Sequence, residues 1–285
     1  MAEHWKGAPV AQALTERLAA QADQLKARGI IPTLAIVRVG ERPEDLSYKR
    51  GALKRCEKAG IQVKQFVLPK ESSHGDLLEV IHQINADRAI HGCLLFRPLP
   101  PHMDEEAICA ALDPAKDVDG ITAGSLAAVF TGRGAGYPPC TAQACLEILD
   151  HYGCDLTGKR AVVVGRSLVV GKPLAMLLLG RNATVTLCHT RTADLPAECR
   201  RAEVLIAAAG VANMIGRDHL APGQLVLDVG INVDQEGNLV GDVDFAAADE
   251  VAAAVTPVPG GVGAVTTSVL AAHVLRAAGQ SQSQK

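Results

Sequence analysis

Apolar positions recur along the chain in two alternating periods. From Ala8 to Arg28, Val10, Leu14, Leu18, Ala19 and Leu25 fall on one helical face, and Gly29 stops the run. Pro32–Val39 then reads as a buried strand, Asp45–Ala59 as a helix stopped by Gly60, and the stretch from Ile61 to Leu68 as a second strand. Gly75–Asn85 is helical, with Leu77, Leu78, Val80, Ile81 and Ile84 apolar, and Gly92–Phe96 is a short buried strand ended by the Pro98–Pro101 cluster. Helix and strand in alternation predict parallel sheets with helices on their faces, an α/β chain.

The clearest interruption is Gly132–Pro139, a loop and a candidate domain boundary. Beyond it the pattern resumes with a helix over Thr141–His151, Thr141 at its cap, a strand over Arg160–Val164 and a helix over Gly171–Leu179. Strands follow at Ala183–Cys188, Val204–Ala208 and Gln224–Val229, and a last helix runs from Val265 to Ala278. The tail from Gly279 to Lys285 is polar and expected to fray. No segment repeats another.

Composition narrows the class. The 285 residues suit two domains, and 48% hydrophobic against 21% charged residues suits a large core. A net charge of −3 offers no electrostatic case for nucleic acid or an anionic membrane. No apolar run reaches the ~20 residues of a membrane span, and the first residues lack a signal-peptide pattern, so a cytoplasmic protein is expected. The eight cysteines contain no Cys-x-x-Cys pair and are expected to be buried free thiols, with no metal site. Aromatic residues are only 3%, so each tyrosine carries more information than usual.

Candidate chemistry begins at Gly165-Arg166-Ser167, between a strand and a helix that opens with Gly171 and Pro173. Backbone N–H groups at such a turn can hold a pyrophosphate. The spacing Gly-x-Ser-x-x-x-Gly is not the usual Gly-x-Gly-x-x-Gly, and an ordinary tight turn would look the same. After the next strand come His189, Thr190 and Arg191, where an acid would bind the ribose 2′-hydroxyl of NAD. A hydroxyl and a guanidinium, with Arg166, favour the 2′-phosphate of NADP over NAD, although both cations could be solvated loop residues.

Four separated motifs then carry a resemblance: Lys116-Asp117-Val118-Asp119-Gly120, Pro139-Cys140-Thr141, the Gly165–Pro173 turn, and Thr256-Pro257-Val258-Pro259-Gly260-Gly261-Val262-Gly263. In this order, over about residues 8 to 278, they resemble the methylenetetrahydrofolate dehydrogenase/methenyltetrahydrofolate cyclohydrolase family. The resemblance implies an N-terminal α/β folate-binding domain (1–140) completed by the C-terminal helix (265–285), with a Rossmann-like NAD(P) domain (141–264) between. It also implies a homodimer, a folate bound between the domains, and oxidation of 5,10-methylenetetrahydrofolate with NADP, followed in many members by hydrolysis to the 10-formyl compound. Tyr48 matches the tyrosine that stacks on the folate, and Asp119 the aspartate that accepts from the pterin N–H groups. Pro257, Gly260 and Gly261 would bring backbone close to the ligands. Gly165, Arg166, Ser167, Gly171, Pro173, His189, Thr190, Arg191 and Ile231 make up the cofactor set.

Two positions depart from the family pattern. Its catalytic lysine, one helical turn after the tyrosine, is here Ala52, and the glutamine that partners it is Phe96; Ala264 also replaces a usual proline. Lys49, Arg50 and Lys54 do not replace the lysine by spacing. Hydride loss from the methylene carbon needs no proton transfer, whereas cyclohydrolysis needs acid–base assistance. The expectation is a dehydrogenase with weak or no cyclohydrolase activity. The alternatives are a fully bifunctional enzyme, a Rossmann dehydrogenase for another substrate, or a non-catalytic folate- or nucleotide-binding protein.

Overall fold

A computed structural model describes residues 1–281, apart from the side chains of residues 43–45 and 47; the last four positions of the polar tail lie outside the described residues. The first part of the chain runs β1 (Glu3–His4), α1 (Gly7–Ala27), β2 (Thr33–Val39), α2 (Pro43–Lys58), β3 (Gln62–Leu68), α3 (His74–Ala86), β4 (Gly92–Leu95), α4 (Glu105–Ala111) and α5 (Ala123–Thr131). It continues with α6 (Cys140–His151), β5 (Arg160–Val164), α7 (Gly171–Gly180), β6 (Thr184–Cys188), α8 (Leu195–Arg200), β7 (Val204–Ala207) and β8 (Leu225–Asp228). Last come β9 (Asn232–Val233), β10 (Leu239–Val240), α9 (Phe245–Val251), β11 (Ala254–Val255) and α10 (Thr266–Gln280).

These elements form two compact units. One holds Ala13–Cys140 and the chain from Thr267 onward; the other holds Met1–Gln12 and Thr141–Thr266. The first twelve residues, expected with the folate-binding part, therefore belong with the other unit. Their anchor is β1, which pairs in parallel with β11 through Glu3 and His4 opposite Ala254 and Val255. Trp5 then stacks on Tyr152 with ring centroids 4.8 Å apart. Two residues are too few to show a period, and their partner lies at the far end of the chain.

In the first unit three parallel strands are ordered β3-β2-β4. One face of β2 and β4, carrying Val37, Val39, Cys93 and Leu95, packs with Leu77 and Ile81 of α3 and Ile108 of α4 into a buried core. Helix α3 starts where Ser73 accepts from the Asp76 N–H and Asp76 accepts from the Ser73 N–H, a reciprocal cap. In the second unit six parallel strands are ordered β1-β11-β8-β7-β5-β6. Helices α4, α5, α8 and α9 were not anticipated; each has nine residues or fewer and is held by a side-chain cap from Asp104, Thr122, Asp194 or Asp244. Helix α6 begins at Cys140, so Thr141 lies inside its first turn and is not its cap. All eight cysteines are free, seven buried and Cys154 half-buried. No helix among the described residues is long and apolar enough to cross a membrane.

Candidate functional site

The second unit has a strand-order reversal at β5. The chain leaves β5 for β6 on one side and then returns to β7 on the other. In open parallel sheets this is where ligands bind, at the carboxyl ends of the strands. Gly165 follows β5 at that point with φ +124°, and a Cβ there would run into the Ala208 carbonyl at the end of β7. Its N–H donates to Cys188 O of β6 at 2.9 Å, so one residue ties three strand ends together. A Cβ on Gly171 would strike the Gly165 carbonyl, which fixes the second glycine as well.

Between the glycines, Ser167 Oγ accepts from Val170 N–H at 3.1 Å, and its carbonyl accepts from Lys172 N–H at 3.0 Å. Helix α7 opens at Gly171 without a side-chain cap, and Pro173 is buried in its first turn. Lys172 N–H is taken by the Ser167 carbonyl and Pro173 has none, so it is the partial positive charge at the Gly171 end that suits an anion, and the space-limited glycines let backbone approach it; the residues fit a pyrophosphate. Arg166, Thr190 and Arg191 are exposed beside this turn, and His189 is half-buried. His189 Nδ1 accepts from Arg191 N–H at 3.1 Å while Thr192 Oγ1 accepts from His189 N–H at 2.8 Å. The imidazole thus closes the turn that presents Thr190 and Arg191.

Sequence reasoning missed the two acids that hold the neighbouring loops. Asp242, fully buried, accepts from the N–H groups of Ala209, Gly210 and Val211 at 2.6–2.9 Å and from Asn232 Nδ2 at 2.9 Å. Asp228 accepts from Gly230, Asp242 and Val243 N–H groups at 2.9–3.0 Å. Burial raises the Asp228 carboxyl to about 6 despite those three donors. The available signal was the pair of glycines beside them: a Cβ on Gly230 would strike Asp242, and one on Gly241 would strike Asp228. This network positions Ile231, which is 68% exposed. In the same unit Gly260, at φ +105°, accepts from Gly7 N–H at 2.8 Å, and Gly261 packs on the Pro257 carbonyl.

The first unit gathers a second group of side chains at the carboxyl ends of its strands. Tyr48 on α2 meets Phe96, just past β4, edge to face with centroids 6.0 Å apart. Ala52, one turn after Tyr48, is fully buried, and Phe96 is 7% exposed. Arg97 pairs with Glu105 Oε1 at 3.3 Å, while Glu105 Oε2 accepts from Leu99 N–H at 2.8 Å. Lys54 is exposed on the helix.

Asp117 and Asp119 divide their labour. Asp117 accepts from Ile121 and Thr122 N–H at 3.0 and 2.7 Å and so closes the turn into α5. Asp119 is left to the Cys140 thiol, and burial pushes its carboxyl up to about 6, with Arg97 pulling the other way. Burial and the Asp119 charge also push the Cys140 thiol well above its ordinary range, so it is a hydrogen-bond donor and not a nucleophile. His273 Nδ1 donates to the Val118 carbonyl at 2.8 Å, and burial lowers it to about 4, so it stays neutral. Among the described residues no group of three His, Cys, Asp or Glu side chains is arranged to hold a metal.

Known proteins share this architecture. Residues 5–119 match the catalytic domain of tetrahydrofolate dehydrogenase/cyclohydrolase, and residues 139–282 match its NAD(P)-binding domain. The bifunctional protein FolD of Carboxydothermus hydrogenoformans is 50% identical over 279 residues, 97% of each chain. The bifunctional FolD methylenetetrahydrofolate dehydrogenase/cyclohydrolase of Campylobacter jejuni superposes with TM-score 0.94 at 35% identity, covering 98% of this chain and 99% of that one. The Trypanosoma brucei methylenetetrahydrofolate dehydrogenase-cyclohydrolase, solved with NADP cofactor and an inhibitor, gives 0.91 at 33% identity, covering 99% and 98%. The chain belongs to the tetrahydrofolate dehydrogenase/cyclohydrolase family.

Proposed function

We propose that the chain oxidises 5,10-methylenetetrahydrofolate to the 5,10-methenyl compound with NADP, and that its cyclohydrolase step is weak or absent. NADP, when bound, accepts the hydride. The chain's own contribution is positional: Gly165, Gly171 and the start of α7 would seat the pyrophosphate, and Arg166, Thr190 and Arg191 would meet the 2′-phosphate. Tyr48 would stack on the pterin, and the Asp119 carboxylate would accept from its N–H edge. Hydride leaves the methylene carbon because the adjacent nitrogen lone pair stabilises the resulting cation, so orientation suffices for this step.

The observation that carries the second half is the buried apolar pair Ala52 and Phe96. Hydrolysis of the methenyl cation adds water, removes a proton and protonates a departing ring nitrogen. A methyl and a phenyl group can move no proton, and the nearby Arg97 is paired with Glu105. Full bifunctionality is the second reading, favoured by 50% identity to a relative named bifunctional. The double variant Ala52→Lys, Phe96→Gln separates the two. Supplied with methenyltetrahydrofolate, it is expected to hydrolyse the compound at least about 10-fold faster than the unmodified chain, the lower end of acid–base contributions. Equal rates in the two proteins would count against this assignment.

A further inference from the structure

Arg38 is a cation in an unusual place. It lies on β2, within a stretch that is buried at every position, and is itself 4% exposed. Its one partner among the described residues is the exposed carboxylate of Glu41, 3.0 Å from Nη2. Nε and Nη1, with three N–H donors between them, are buried and have no acceptor among the described residues. Burying a guanidinium with most of its donors unpaired opposes folding, and a packed hydrocarbon at this strand position would not.

Register shows which side of the sheet it faces. Val37 of β2 lies opposite Leu95 of β4, and Phe96 N–H donates to Val37 O at 3.0 Å. The next pair along is therefore Arg38 and Phe96. Val37, Val39 and Leu95 point into the core beneath α3, so alternation turns Arg38 and Phe96 to the opposite face. That is the face on which Tyr48 meets Phe96, with buried Ala52 one turn beyond.

We infer that Arg38 is a ligand-binding residue of the folate unit, and that its unpaired N–H groups receive the ring carbonyl oxygen of a pterin stacked on Tyr48. The inference rests on the folate reading above. Asp119 offers only acceptors and suits the N–H edge of the ring; Arg38 offers only donors and suits the carbonyl. It restores a positive charge to a site whose helix position 52 has none. A guanidinium does this as a fixed fork of donors, so Arg38 would hold the substrate while leaving the hydrolytic step unassisted.

Calorimetric titration of the full chain with tetrahydrofolate, and separately with NADP, tests this. Arg38→Leu is expected to weaken tetrahydrofolate binding about 10- to 100-fold, the range for a charged hydrogen-bonding group, with NADP affinity unchanged. Its Tm should hold or rise, because buried unpaired donors are removed. Arg38→Lys keeps the charge and loses the fork, and should fall between Arg38→Leu and the unmodified chain; it also serves if the leucine variant does not fold. Unchanged tetrahydrofolate affinity in either variant overturns the role of Arg38, as does a lowered Tm with both affinities falling together. If the unmodified chain itself fails to bind tetrahydrofolate, the folate reading falls, and this inference with it.

Discussion

The two units build their candidate sites from different material. In the nucleotide unit the main chain does most of the work: strand order, two glycines without room for a Cβ, and an uncapped helix start. In the other unit the candidates are side chains: Tyr48 against Phe96, one turn before the buried Ala52, and Asp119 beside Cys140. A site made of backbone cannot be altered without disturbing the fold. One made of side chains can exchange them while the sheet beneath keeps its form.

The sharpest way to break that comparison is Gly165→Ala. A methyl group at φ +124° would strike the Ala208 carbonyl, so the turn must open. Strain of this kind costs about 1–3 kcal/mol before the clash is counted. NADP affinity is expected to fall by at least about 100-fold, with a lower Tm. An alanine variant that binds NADP normally by calorimetry would show that the glycine is not needed for close approach.

Asp119→Asn probes the side-chain site with a smaller effect. The KM for methylenetetrahydrofolate should rise about 10- to 100-fold, as expected when a charged acceptor is lost. In the unmodified chain, binding should weaken as pH falls through about 6, where the buried carboxyl takes up its proton. The asparagine variant should lose that dependence. The sign for stability is opposite to that of a salt-bridged aspartate. With its folded value raised above the ordinary 3.8, the carboxyl penalises the folded state as pH rises through that window. At neutral pH the variant should therefore melt no lower than the unmodified chain, and a collapsed Tm would assign Asp119 a structural role.

Arg191→Ala carries the smallest expected change. Arg191 is exposed beside the His189 turn, so a pairing with a 2′-phosphate there would be partly screened. The ratio of NADP to NAD efficiency should drop about 10-fold, through NADP alone, a loss of ~1.4 kcal/mol. An equal loss for both nucleotides would place Arg191 elsewhere on the cofactor.

Much of this was legible in the residues, and what was not has physical reasons. The long amphipathic helices and buried strands follow from period alone, as does the glycine turn after β5. The two-residue strands β1 and β11 carry no period, and their pairing joins opposite ends of the chain. Helices α4, α5, α8 and α9 depend on a capping side chain more than on an apolar face. Within the sites, Asp119 was singled out over Asp117 by the resemblance and not by the physics of the residues; the Asp117 contacts to Ile121 and Thr122 mark that neighbour as the structural acid. Arg38 was hidden because one charge in PTLAIVRV does not disturb the pattern of a buried strand.

The central claim is that this chain stops at the methenyl compound, and product partition tests it most directly. Purified protein is given methylenetetrahydrofolate and NADP, and methenyltetrahydrofolate is quantified directly and again after acid recloses any 10-formyl product, with a blank for spontaneous hydrolysis. The two values are expected to agree once the blank is subtracted. A direct value well below the acidified total would mean that hydrolysis proceeds with Ala52 and Phe96 in place, and would contradict the account.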